Sequence, residues 1–75
     1  MFYNKNMNKS FAINLRELRK ERALRQSDLA KELGVNARTV SFWENGEREC
    51  DFNTLIKIAQ FFKVSTDYLL GISEF

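Results

Sequence analysis

Between Gln26 and Gly46 the chain reads QSDLAKELGVNARTVSFWENG, and Gly34 divides this stretch into two short helical patterns that must meet at a sharp angle. Leu29 and Leu33 recur at i, i+4 before the glycine, and Val40 and Trp43 at i, i+3 after it, so both apolar stripes face one shared core. Ala30 is small where the two helices approach each other. Gly34 follows the last periodic residue of the first helix, at the position where a left-handed backbone penalises any Cβ. Asn36 suits the N-cap of the second helix, its side-chain oxygen accepting from an amide two or three residues on. One helix stops and another starts within three residues.

That shape alone is an αα-hairpin, which many helical bundles contain. The outward face of the second helix distinguishes the readings. Ala37, Arg38, Ser41 and Phe42 lie away from the Val40 and Trp43 stripe, and a phenyl ring aimed at solvent gains nothing unless a partner covers it. The pair therefore reads as a helix-turn-helix whose second helix presents a face to something else.

A chain of 75 residues allows one domain with a thin core, for which helices and low contact order are suited. No apolar run approaches the ~18 residues a membrane span needs, and no stretch reads as a signal peptide. Cys50 is the one cysteine and histidine is absent, so an internal disulfide and the common zinc ligand sets are not available. With no recognisable nucleophile and base pair, an enzyme is not expected, and neither is a metal, a cofactor or a small-molecule ligand. A cytoplasmic, soluble protein is the expectation. The net charge of +2 says little about partners, but seven basic and two acidic side chains fall within residues 1–25. Helix 1 is then either a solvated surface with i, i+4 pairs or a source of attraction for a polyanion.

Taken in order, residues 1–9 (MFYNKNMNK) have no period and read as a tail, with Lys5 and Lys9 as the positions from which an arm would reach phosphates or a minor groove. Ser10 suits the N-cap of helix 1, whose buried stripe is Phe11, Leu15 and Leu18 and whose end falls near Glu21 or Arg22. Helix 2 begins around Gln26, although Arg25 is a poor cap, so that start is expected to be locally weak or capped by another residue. Beyond Gly46, Asp51 suits the N-cap of helix 4, in which Phe52, Leu55, Ile56, Ile58, Ala59 and Phe62 share one broad face while Phe61 falls opposite. Ser65 caps a last short helix over Asp67 to Leu70, which Gly71 ends. Phe61, Tyr68, Ile72 and Phe75 are more apolar surface than a monomer of this size usually shows, and they are the dimer-interface candidates. The domain is placed at 10–72, with a short tail at 73–75.

The run LRELRKERALRQSDLAKELGVNARTVSFWENG, followed by TLIKIAQFFKVSTDYLLG, resembles the phage-repressor and Cro-type helix-turn-helix family, also called the XRE family. The most specific parts are Gln26 with Leu29 and Ala30, the Gly34 turn, the WENG at Trp43 to Gly46 and the YLLG that ends at Gly71. This resemblance implies a compact five-helix, lambda-repressor-like all-α domain, with the helix-turn-helix in helices 2 and 3, that binds double-stranded operator DNA as a homodimer and regulates transcription. By position it implies base contacts from Ala37, Arg38 and Phe42, and flanking base or phosphate contacts from Gln26, Asn36, Thr39, Ser41 and Asn45. It also implies that Arg19 pairs with Glu44 to tie helix 1 to the end of helix 3. Arg25 and Cys50 depart from the family pattern, and both departures concern local capping.

The side-chain chemistry agrees with that assignment. Arg38, near the start of a helix in the major groove, has the planar fork to reach O6 and N7 of a guanine, worth roughly 1–3 kcal/mol of discrimination. Ala37 and Phe42 have no donors and suit thymine methyl groups. Arg16, Arg22, Arg25 and Lys31 are further sources of salt-dependent backbone attraction. A repressor of a palindromic operator is the leading reading. A protein-interaction module or antitoxin-type partner that keeps the fold is the alternative.

Overall fold

A computed structural model describes residues 7–74. The order is α1 (Met7–Glu21), α2 (Gln26–Leu33), α3 (Ala37–Glu44), α4 (Phe52–Phe62) and α5 (Thr66–Leu70), with no strand among the described residues. Helix α1 packs on α3 and α5, α2 on α3, and α4 meets α5 and α2. Each helix contributes one fully buried side chain to a common centre: Leu15, Leu29, Val40, Ile58 and Leu69. Truncating such a residue to alanine typically costs about 2–5 kcal/mol, so the core draws on all five elements at once. None of the helices is long and apolar enough to cross a membrane.

The turn between α2 and α3 is built as its residue types require. Gly34 sits at φ 73°, and the Val35 amide reaches back to the Ala30 carbonyl at 3.0 Å, which closes the last turn of α2. Two residues on, Asn36 Oδ1 accepts from the Thr39 amide at 2.9 Å and starts α3. Helix α2 begins by the expected detour: Asp28 Oδ2 accepts from the Arg25 amide at 2.9 Å, and the Arg25 guanidinium folds onto the same carboxylate. Ser65 caps α5 through the Tyr68 amide at 2.9 Å, although the helix starts at Thr66 rather than Asp67.

Three expectations about packing need correction. Ser10 is not an N-cap, since α1 already begins at Met7. Ser10 is instead the small residue against which the chain closes, because a Cβ added to Gly71 would lie 2.6 Å from its side chain. On α4, Ile58, Ala59 and Phe62 are buried and Leu55 packs against the core. Phe52 is 84% exposed and Ile56 46% exposed, so the apolar face is wider than the surface available to cover it. Phe61 is not stranded opposite the core. It packs against it half-buried, edge-on to Phe62 with ring centroids 4.9 Å apart, and the Arg22 guanidinium lies over both rings.

Candidate nucleic-acid interface

Helix α3 is held from its inner side. Val40 and Trp43 are buried, and Trp43 meets Phe11 of α1 in an edge-to-face contact at 6.4 Å. The end of α3 is anchored by Glu44, whose carboxylate is buried. Arg19 of α1 grips it bidentately, Nε to Oε2 at 2.6 Å and Nη2 to Oε1 at 2.9 Å, and its Nη1 donates to the Leu24 carbonyl at 2.8 Å. The expected Arg19–Glu44 tie is thus present, and it also fastens the α1–α2 connection. Gln26 Nε2 adds a bond to Glu44 Oε1 at 3.1 Å, and Arg16 lies 3.6 Å from the same oxygen. Burial by itself would push the Glu44 carboxyl up. The hydrogen bonds from Arg19 and Gln26, with the charges of Arg19 and Arg16, outweigh it and hold the group below its ordinary range.

With the inner side fixed, the outer side of α3 is presented rigidly. Arg38 is exposed and Phe42 half-buried, with the Arg38 guanidinium over the Phe42 ring at 5.8 Å. Asn36, Arg38, Thr39, Phe42 and Arg48 line one shallow concavity on this surface. Thr39 Oγ1 donates to Asn36 Oδ1 at 3.0 Å, so the capping pair forms part of the same rim. Asn45 is exposed just past the helix, its amide 3.5 Å from both Ser41 Oγ and Glu47 Oε1. Ala37 is less free than its outward phase implies, being half-buried at the edge of the core. Gln26 stands at the first position of α2 with its amide directed to Glu44.

Arg48 joins this face without having been singled out in the sequence. Its guanidinium lies 4.3 Å from the centre of the Phe42 ring, nearer than that of Arg38. It comes from the aperiodic loop after Gly46, where spacing gives no direction to a side chain. The arginines of α1 and of the turn after it behave in the opposite way. Arg16 and Arg19 turn to Glu44, Arg22 donates to the Phe61 and Phe62 carbonyls at 3.1 and 3.2 Å, and Arg25 pairs with Asp28. Lys31 stays exposed, and Lys5 lies outside the described residues.

The dimer candidates are divided by the fold. Ile72 is 47% exposed, Tyr68 packs half-buried against the core as Phe61 does, and Phe75 lies outside the described residues. Cys50 is half-buried, and burial pushes its thiol up to about 11, which favours the protonated form at neutral pH. Among the described residues no group of acidic, cysteine or histidine side chains is arranged to hold a metal ion.

A chain with this architecture has known counterparts. The family model described as helix-turn-helix matches residues 15–69. The chain is 42% identical over 60 residues to the uncharacterized HTH-type transcriptional regulator YqaE of Bacillus subtilis, an alignment covering 80% of this chain and 52% of that protein. It is 35% identical over 65 residues to the HTH-type transcriptional regulator ImmR of the same organism, covering 87% and 51%. The chain thus spans about half the length of these curated relatives. Among solved structures, the P22 c2 repressor in complex with a synthetic operator superposes with a TM-score of 0.79 at 32% identity, covering 84% of this chain and 96% of that one. The arrangement of α2 and α3, the Arg19–Glu44 tie and these likenesses lead to one placement: the chain belongs to the XRE-type helix-turn-helix family, that of the phage repressors.

Proposed function

We propose that the chain is a sequence-specific DNA-binding regulator of transcription, a repressor, that reads a palindromic operator as a homodimer with α3 in the major groove and works in the cytoplasm. The observation that carries this reading is the outer side of α3, where Arg38 is exposed beside Phe42 on a helix fixed from behind by Trp43 and Glu44. Rigid mounting matters because a bidentate contact to guanine O6 and N7 discriminates only when the guanidinium arrives in one orientation. The likeness to a repressor solved in complex with a synthetic operator supports duplex DNA as the partner.

In this reading Arg38 contacts a guanine, and Phe42 with Ala37 meets thymine methyl groups. Asn36, Thr39 and Ser41 serve as flanking contacts, while Gln26 and Asn45 reach phosphates on either side. Selecting bound fragments from random duplexes tests it. The expected result is an inverted repeat with a guanine in each half-site, and Arg38→Ala should abolish the preference for that site more than it weakens binding to random DNA. Equal losses on both would refute base reading by Arg38. No retention of any duplex at low salt would favour a protein-binding use of the same face.

A further inference from the structure

The Phe42 ring carries two cations rather than one. Arg38 Cζ lies over it at 5.8 Å and Arg48 Cζ at 4.3 Å, although one residue comes from the start of α3 and the other from the loop beyond its end. Among the described residues neither guanidinium is paired with a carboxylate. The acids that flank Arg48 in sequence are directed elsewhere: Glu47 accepts from Asn45, and Glu49 lines a separate hollow with Phe11 and Leu55. The negative face of the ring offsets part of the repulsion between two neighbouring positive groups. The remainder favours an anion whose oxygens accept N–H bonds from a guanidinium, and a phosphodiester is one.

Position divides the labour between the two arginines. A recognition helix brings residues of its first turn to base edges, while the chain beyond its end runs past the sugar–phosphate backbone. Resting on the DNA-binding reading above, we infer that Arg48 is a phosphate-binding residue of this face and that Phe42 is a positioning residue that couples it to Arg38. Backbone grip and base reading are then linked through one aromatic ring. Arg38 is ordered for its base when Arg48 is seated on a phosphate.

Fluorescence anisotropy with the selected duplex and a scrambled duplex, over a range of salt concentrations, tests this. Arg48→Ala should weaken binding to both duplexes, more on the selected one because Arg38 loses its ordering there, and make the slope of log K against log salt shallower by about 1, with the thermal melt unchanged because the side chain is exposed. Arg48→Lys should restore the slope, since it keeps the charge. Phe42→Leu should weaken binding to both duplexes, and its effect should shrink by about two- to fivefold once Arg48 is already alanine. Phe42→Tyr, which keeps the ring and the fold, should preserve that coupling. An unchanged salt slope in Arg48→Ala, or strictly additive losses for Phe42 and Arg48, overturns the inference while leaving wild-type DNA binding intact. Wild-type protein that binds neither duplex would instead overturn the DNA-binding reading itself, and this inference with it.

Discussion

Glu44 accepts hydrogen bonds from α1 and α2 on a carboxylate buried at the end of α3, so one residue holds three helices. A buried acid of this kind stabilises only while ionised. Its folded-state affinity for protons lies below the ordinary value of 4.5, because donors from Arg19 and Gln26 overcome the burial that opposes charge. The unfolded chain therefore binds the proton more readily. The contribution is present in full above the ordinary value and is lost as pH falls through the lower folded one. Glu44→Gln should cost about 1.5–3 kcal/mol at pH 7 by leaving Arg19 without its anion. The gap in melting temperature between wild type and variant should close as the pH is taken from 6 toward ~3. A gap that stayed constant over that range would show that the pair contributes nothing through its charge. The Arg19–Glu44 tie was legible because the resemblance placed both partners. The Gln26 bond to the same oxygen was not, since the resemblance assigned Gln26 to a phosphate. That Arg38 and Phe42 lie on the outer side of α3 was legible from helical phase alone, whereas the place of Arg48 beside them was not, because a loop residue has no phase.

At the scale of elements, all five helices finish by the same device, an amide just past the end reaching back across the last turn while one residue turns left-handed. At α1 and α4 that residue is Ala23 at φ 56° and Lys63 at φ 59°, neither of which is glycine. A Cβ in this region costs roughly 1–2 kcal/mol, and the extra freedom of glycine in the unfolded chain returns part of that. Lys63→Gly should therefore stabilise the domain by about 0.5–1 kcal/mol, raising the melting temperature by roughly 2–8 °C for a chain this short. Gly71→Ala should do the reverse by a larger margin, as it meets both the left-handed backbone and Ser10. Differential scanning calorimetry of the two variants checks both signs, and a Lys63→Gly protein that melts lower would refute the account of strain. Helix starts and stops at Gly34, Asn36, Ser65 and Gly71 could be read in sequence because donor and acceptor sit within a few residues. The caps supplied from afar could not. Asn14 donates to the Tyr68 carbonyl, Lys57 to Leu33 and Arg22 to Phe61, across 54, 24 and 39 residues respectively. Phe52 and Ile56 belong to the same lesson, since periodicity gives the direction of a helix face but not how far its neighbours extend along it.

For the whole molecule, the distribution of charge left two uses open for the basic stretch from Arg16 to Arg25, a solvated surface or attraction for a polyanion. Arg16, Arg19, Arg22 and Arg25 are instead committed to carboxylates and carbonyls of their own chain, a distinction that counting charges cannot make. On the α3 face Arg38 and Arg48 pair with no carboxylate of the described chain, and one such helix spans only a few base pairs. Two copies about 34 Å apart are needed to read a palindrome, so the proposed homodimer requires a surface of self-contact away from α3. Of the C-terminal set placed there, Phe61 and Tyr68 already pack against the core, which leaves Ile72, at 47% exposed, as the described member that can be changed without disturbing the fold. Ile72→Glu should leave the melting temperature nearly unchanged, within about 0.5 kcal/mol. It should shift sedimentation equilibrium toward monomer and weaken binding to a two-half-site operator far more than to a single half-site. If Ile72→Glu sediments and binds as wild type does while Phe52→Glu dissociates the pair, the contact belongs to the start of α4, where the most exposed phenyl ring of the described chain stands without cover.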